Sequence, residues 1–146
     1  VEEYIKGTEL TCGVLEDPDT RDPVPLPVIE IVPKATEFFD FRAKYDPALT
    51  DEIVPARIPD EVAVRVQDAA RRAHLALGCS AFSRTDLMLR DGQLYVLELN
   101  TIPGMTPNSL LPKAVRAAGM SFEELLDRLV QLAVNDHELR HWQNGR

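Results

Sequence analysis

The segment from Ser83 to Pro112, SRTDLMLRDGQLYVLELNTIPGMTPNSLLP, constrains this chain more than any other. It reads as a hairpin with Arg84 and Asp86 on the first strand and Glu98 and Asn100 on the second. Within each pair the spacing is i, i+2, so both members point to one face of their strand. A cation, two carboxylates and a carboxamide on a sheet face are costly to bury unless a metal or an anionic substrate compensates them. The pattern is that of a magnesium–phosphate site.

The hairpin carries its own geometric expectation. Asp91-Gly92 is a two-residue turn signal. A plain two-residue loop would pair Arg90 with Gln93, and hence Asp86 with Leu97, leaving Asp86 and Glu98 on opposite faces. A shared metal site needs Asp86 opposite Glu98. The sequence reading therefore predicts a three-residue connection with Gly92 as a left-handed bulge, and a tight turn would weaken the metal reading.

With 146 residues, 45% of them hydrophobic, the chain can bury one real core. Its net charge of −8 argues against nucleic acid as a partner, since no basic cluster offsets it. A nucleotide would need cations placed one by one. No apolar run reaches membrane-spanning length and no export signal is visible, so a membrane partner is not expected either. Cys12 and Cys79 lack metal spacing and read as small core residues in a reducing compartment. The chain opens on Val1 with a strand-like alternation already under way, the mark expected of a fragment.

Along the chain, Val1–Ile5 and Glu9–Leu15 read as strands, Glu16 to Pro27 as a loop, and Val28–Val32 as a strand ended by Pro33. Lys34 to Arg57 reads as a long loop with Phe38, Phe39 and Phe41 as local anchors. Asp60 to Leu77 is a helix with an apolar stripe of Val62, Val66, Ala69, Ala70, Ala73 and Leu77, capped by Gly78. After the hairpin come a short helix, Leu110–Ala118, stopped by Gly119, and a last helix opened by the capping box Ser121-x-x-Glu124 with a Met120–Leu125 staple. Phe122, Leu125, Leu126, Leu129, Val130 and Ala133 would form its buried face. Residues 1–136 form one domain and 137–146 a polar, fraying tail. The element order predicts an α+β fold, a largely antiparallel sheet flanked by helices.

At this resolution of detail the chain resembles a known family. VEEYIKGTELTCGV, LPVIEIVPK, DFRAKY, LGCSAFSRTDLML, LYVLELNTIPGMTPNSLLPKA and GMSFEELL are similar, in order, to the C-terminal half of D-alanine–D-alanine ligases of the ATP-grasp superfamily. The resemblance implies the ATP-grasp C-terminal subdomain and a cytoplasmic, ATP-dependent joining of two D-alanines for peptidoglycan synthesis. ATP would be co-substrate, with two Mg2+ (or Mn2+) ions, and the full-length enzyme would be a homodimer. It also implies that this chain lacks ligase activity without the family's N-terminal and central domains.

Carried over by residue, Asp86, Glu98 and Asn100 match the metal ligands, with Glu98 bridging. Arg84 matches the cation that stabilises the oxyanion, helped by the backbone N–H of Gly104. Ser109 and the N–H of Leu110 match the carboxylate site of the second substrate, at a helix start as anions prefer. Glu2 matches an adenine contact, Glu3 and Ile5 its backbone partners, and Glu9 the ribose acceptor. Lys44 matches a phosphate-reaching lysine, and Tyr45 follows it in the AKY form of dipeptide-making ligases. Ala81 stands where the family often has Gly, which puts packing rather than chemistry in question.

Taken singly, these residues have blander roles. A lone Asp or Glu on a strand is solvated, Ser109 is a helix cap, Lys44 a surface lysine, and Glu2, Glu3 and Glu9 a hairpin's polar face. His137 and His141 have zinc-pair spacing but no third ligand around them. Ser83 is rejected as a nucleophile because no His is within sequence reach. Two other functions compete: a carboxylate–amine ligase with another substrate, and a non-catalytic interface module. The Asp86, Glu98 and Asn100 trio argues against the second.

Overall fold

The computed structural model describes residues 2–34 and 50–144, with side chains described through His137. Its elements in chain order are β1 (Thr8–Glu16), β2 (Pro23–Pro25), β3 (Ile29–Pro33), β4 (Thr50–Ile53), α1 (Asp60–Ala76), β5 (Phe82–Arg90), β6 (Gln93–Asn100), α2 (Leu110–Ala117) and α3 (Phe122–Asn144). One sheet runs β4-β3-β1-β5-β6, with β2 pairing the far end of β1, and every pairing is antiparallel. The fold is thus the α+β architecture that the sequence predicts.

Strand alternation gives β1 two faces. Leu10, Cys12 and Val14 point back, where they join Leu87 and the α1 residues Val62, Val66 and Ala70 in one core. Leu15 and Ile29 point forward into a second core with Leu111, Ala114, Val115 and Leu125 of α2 and α3. Gly13, between Cys12 and Val14, lets α2 come close. A Cβ there would lie 2.6 Å from Leu111 Cδ1 and 3.0 Å from Leu26 Cδ1. Helix α3 is tied to the loop after β1 by Arg128 Nε donating to the Glu16 carbonyl (2.9 Å) and Asn135 Nδ2 to that of Pro18 (3.0 Å). The capping box forms in both directions: Ser121 N–H to Glu124 Oε2 at 2.7 Å and Glu124 N–H to Ser121 Oγ at 3.1 Å.

Several sequence expectations need correction. Residues 2–6 form no strand; the first strand begins at Thr8, where pairing with β5 becomes available. The loops predicted over 16–27 and 34–57 contain β2 and β4, short edge strands too brief for a period-2 signal. Leu77 is exposed, and His74 takes the last buried position of α1, continuing the Val62, Val66, Ala70 series. On α3 the buried face runs through Leu125 and Leu132, while Leu126 and Val130 are exposed and Ala133 also faces out. That helix continues to Asn144, well past Asn135. Ala81 has φ 66°, so the question there is backbone conformation rather than packing. Phe38, Phe39, Phe41 and the side chain of His141 lie outside the described residues. Both cysteines are free thiols; Cys12 is buried and its thiol is pushed up to about 12 by burial.

Candidate active site

The hairpin reaches the required register by an unexpected route. The turn is tight: Arg90 pairs with Gln93, and Asp91 and Gly92 both have positive φ (51° and 75°), as a type I′ turn demands. Leu87 pairs with Val96, yet Asp86 pairs with Glu98. Leu97 is therefore an extra residue, a β-bulge inside β6 rather than a longer loop. It undoes the one-residue slip that a tight turn imposes. Asp86 sits opposite Glu98 and Arg84 opposite Asn100, so all four share the forward face. The three-residue connection is wrong; the register it was meant to provide is present.

On that face Arg84 and Asp86 grip each other. Arg84 Nε donates to Asp86 Oδ1 at 3.0 Å and Nη2 to Oδ2 at 2.9 Å. Thr11, directly opposite Asp86 on β1, donates its hydroxyl to Oδ1 at 2.6 Å. Thr11 and Asp86 are buried, Arg84 is half-buried, and Glu98 is exposed. Thr11 escaped the sequence reading. Its signal was there: it follows Glu9 by two positions and so shares the face of the carboxylates.

Asn100 closes the strand by accepting the Ile102 N–H at Oδ1 (2.9 Å), which turns the chain into the PGMT loop. The loop folds against the start of α2. A Cβ at Gly104 would lie 2.9 Å from Ser109 Oγ, and Ser109 Oγ meets the Thr106 N–H (3.1 Å) and hydroxyl (2.8 Å). Ser109 is the N-cap residue by backbone position, yet its side chain does not cap α2. The hydroxyl thus faces the loop instead of its own helix. Because Leu111 packs over Gly13, which pairs with Arg84, the first turn of α2 is brought to the Arg84 end of the face.

The remaining expected site residues are placed as follows. Glu9 lies on β1, paired with Met88 and on the same face as Thr11. Glu2, Glu3 and Ile5 precede β1 in an extended lead-in, where Glu3 makes an exposed ion pair with Arg90 at 3.4 Å. Lys44 and Tyr45 lie outside the described residues.

The donor set fits a hard cation. Asp86, Glu98 and Asn100 offer only oxygen ligands, and Asp86 Oδ2 carries a single donor, which leaves a lone pair open. Among the described residues no three His, Cys, Asp or Glu side chains converge into a self-sufficient metal cluster. Phosphate and water would have to complete the coordination, as is usual for magnesium.

A second polar cluster lies on the back face. His74 Nδ1 is 2.8 Å from Ser83 Oγ, and His74 Nε2 is 3.2 Å from Glu16 Oε1. Against the expectation that no His lies within sequence reach of Ser83, His74 precedes it by nine residues and contacts it directly. The arrangement has the outline of a nucleophile, base and acid, but Ser83 and His74 are 0% exposed, so no substrate reaches them. It clamps β1, α1 and β5 together behind Arg84. Sequence order could not suggest this, because helix α1 hides the proximity.

A forward face of carboxylates, carboxamide and arginine on an antiparallel sheet, backed by one helix and flanked by two, defines the C-terminal subdomain of an ATP-grasp fold. Comparison with known proteins gives the family. Residues 1–131 match the family "D-ala D-ala ligase C-terminus", and the chain belongs to it. It is 48% identical over 137 residues to the D-alanine–D-alanine ligase of Syntrophobacter fumaroxidans, covering 93% of this chain and 43% of that protein. Among solved structures, the Bacillus anthracis D-alanine–D-alanine ligase complexed with ATP superimposes with a TM-score of 0.75 at 43% identity, covering 95% of this chain and 43% of that one. The VanG D-Ala:D-Ser ligase of Enterococcus faecalis gives 0.73 at 40% identity, covering 90% of this chain and 37% of that one. The chain therefore spans less than half the length of the relatives it matches.

Proposed function

We propose that this chain is the nucleotide- and metal-holding part of an ATP-dependent D-alanine–D-alanine ligase that works in the cytoplasm on peptidoglycan precursors. The observation that carries the proposal is the bulge at Leu97, which sets Asp86 against Glu98 where an unbroken ladder would separate them. In the reaction, one D-alanine carboxylate attacks the γ-phosphorus of ATP, forming an acyl phosphate and releasing ADP. The amine of the second D-alanine then attacks the acyl carbon, and inorganic phosphate leaves.

Within that scheme Asp86, Glu98 and Asn100 would hold two Mg2+ or Mn2+ ions, which neutralise the phosphate charge. Arg84 and the Gly104 N–H stabilise the oxyanion of the tetrahedral intermediate, and removal of one such donor costs about 3 kcal/mol of barrier. Ser109 and the Leu110 N–H receive the carboxylate of the second substrate. Glu2, Glu3 and Ile5 contact the base, Glu9 the ribose, Lys44 the phosphates, with Tyr45 beside it. Groups outside this chain supply the rest of the site, so the chain alone ligates nothing; the full-length enzyme works as a homodimer. A second reading, favoured by the likeness to a D-Ala:D-Ser ligase, changes only the acceptor.

Calorimetry of ATP with and without magnesium tests the proposal on this chain and on its Asp86→Ala/Glu98→Ala variant. Magnesium-dependent binding lost in the variant is the expected result. Binding that persists unchanged in the variant would refute the metal face.

A further inference from the structure

We propose that the Arg84–Asp86 pair is an exchangeable latch, in which Arg84 serves as the resident counter-cation of Asp86 until a divalent cation displaces it. The inference rests on the reading of Asp86 as a metal ligand. It adds what the site does before the cation arrives, and which side chain holds still while it does.

Three of the roughly four lone-pair positions of the Asp86 carboxylate are occupied. Oδ1 takes the Thr11 hydroxyl and Arg84 Nε; Oδ2 takes Arg84 Nη2 alone. The open position therefore lies on the oxygen that Arg84 already neutralises. A dication there and a guanidinium on the same oxygen repel at contact range in a half-buried setting, where screening is weak. One of them must withdraw.

The two donors differ in how easily they leave. Thr11 is 1% exposed, β-branched and set directly opposite Asp86 in the β1–β5 ladder. It is neutral and has no reason to move. Arg84 reaches Asp86 along a long side chain within its own strand, and it keeps 13% of its side-chain surface exposed. Rotation at Arg84 releases the fork and leaves Oδ1 held by Thr11. Thr11 is accordingly a positioning residue: it keeps the carboxylate aimed while its counter-ion changes. The exchange also releases the guanidinium only when the cation is in place, so the oxyanion donor becomes available in a metal-loaded site and not before.

The test labels the arginine side-chain nitrogens of this chain and titrates Mg2+ alone, with trace Mn2+ to locate the cation by line broadening at Asp86 and Glu98. The Arg84 Nε–H signal is expected to shift with the midpoint of cation arrival. Arg84→Met is expected to bind Mg2+ about tenfold tighter, since the loss of a charge-assisted hydrogen-bonded competitor is of that order. Arg84→Lys, which keeps the charge but loses the fork, should gain a few-fold and serves if the Met variant does not fold. Thr11→Val should weaken Mg2+ binding by about tenfold, and Thr11→Ser should restore it. Broadening at Asp86 and Glu98 with an unmoved Arg84 signal, or Arg84 variants that bind no tighter, would overturn the latch and leave the metal reading standing. No broadening at either carboxylate, even with ATP added to complete the coordination, would overturn both.

Discussion

Deleting Leu97 is the perturbation that tests the register argument most directly. Deletions inside a sheet strand ordinarily flip every following side chain to the other face. Here the opposite is expected. The ladder from the turn runs Arg90–Gln93 to Leu87–Val96, and Leu97 is the unpaired extra residue before Asp86–Glu98. Without Leu97, Glu98 follows Val96 directly and falls opposite Asp86 in a regular ladder. Leu97 is 51% exposed, so its loss removes roughly half of a leucine's burial, about 1 kcal/mol. Inserting one Ala between Leu97 and Glu98 is the contrasting change. It would set Glu98 against Thr85, which is fully buried on the α1 side. An unpaired carboxylate there costs several kcal/mol, enough to unfold the hairpin or force a new register. Urea denaturation and cross-strand NOEs between residues 86 and 98 distinguish these outcomes. A deletion that loses those NOEs, or that destabilises as much as the insertion, would refute the bulge as the device that aligns the site.

Two further outcomes follow from local geometry. Ala81, at φ 66°, sits in the left-handed region that penalises a Cβ by ~1 kcal/mol or more. Ala81→Gly should therefore raise the melting midpoint despite the added freedom of the unfolded chain, and thermal denaturation monitored by circular dichroism checks it. At the start of α3, the Ser121 N–H and hydroxyl hold the Glu124 carboxyl below the usual glutamate range. A depressed carboxyl stabilises the fold above its unfolded value, and that contribution disappears as pH falls through the folded one. A carbon-detected titration should show the Glu124 midpoint rising only part of the way toward an ordinary value in Ser121→Ala, which loses the hydroxyl but keeps the backbone N–H, while a full return to the ordinary value would reject the N–H as the main cause.

Much of this architecture was legible because it depends on near neighbours in sequence. The i, i+2 polar pairs, the α1 stripe as far as Ala70 and the Ser121–Glu124 box each follow from a period or a short motif, and each has its structural counterpart. What escaped depends on tertiary contact. Helix α1 continues its buried series through His74 rather than Leu77, because Ser83 and Glu16 satisfy both ring nitrogens across the core. Hydropathy ranks a histidine below a leucine and cannot see those partners. The edge strands β2 and β4 have only three and four residues, and they exist because β1 and β3 offer them a ladder.

The bulge belongs to a third kind of feature, in which local turn chemistry and face alignment make opposing demands on one strand. Two local rules conflict between Arg84 and Asn100. Asp91-Gly92 asks for a type I′ turn, whereas the polar alternation asks for a one-residue offset. From sequence alone the offset is expected at the turn. The chain places it at Leu97, five residues past Gly92. A bulge at that position leaves the turn unstrained and costs only one half-exposed leucine. It also increases the local twist next to Glu98, where a carboxylate must project from the strand. Turn chemistry is set by two residues, but register is set by the whole face that must line up. Where the two disagree, the ladder yields in mid-strand, and on this chain it yields beside the residues proposed to do the chemistry.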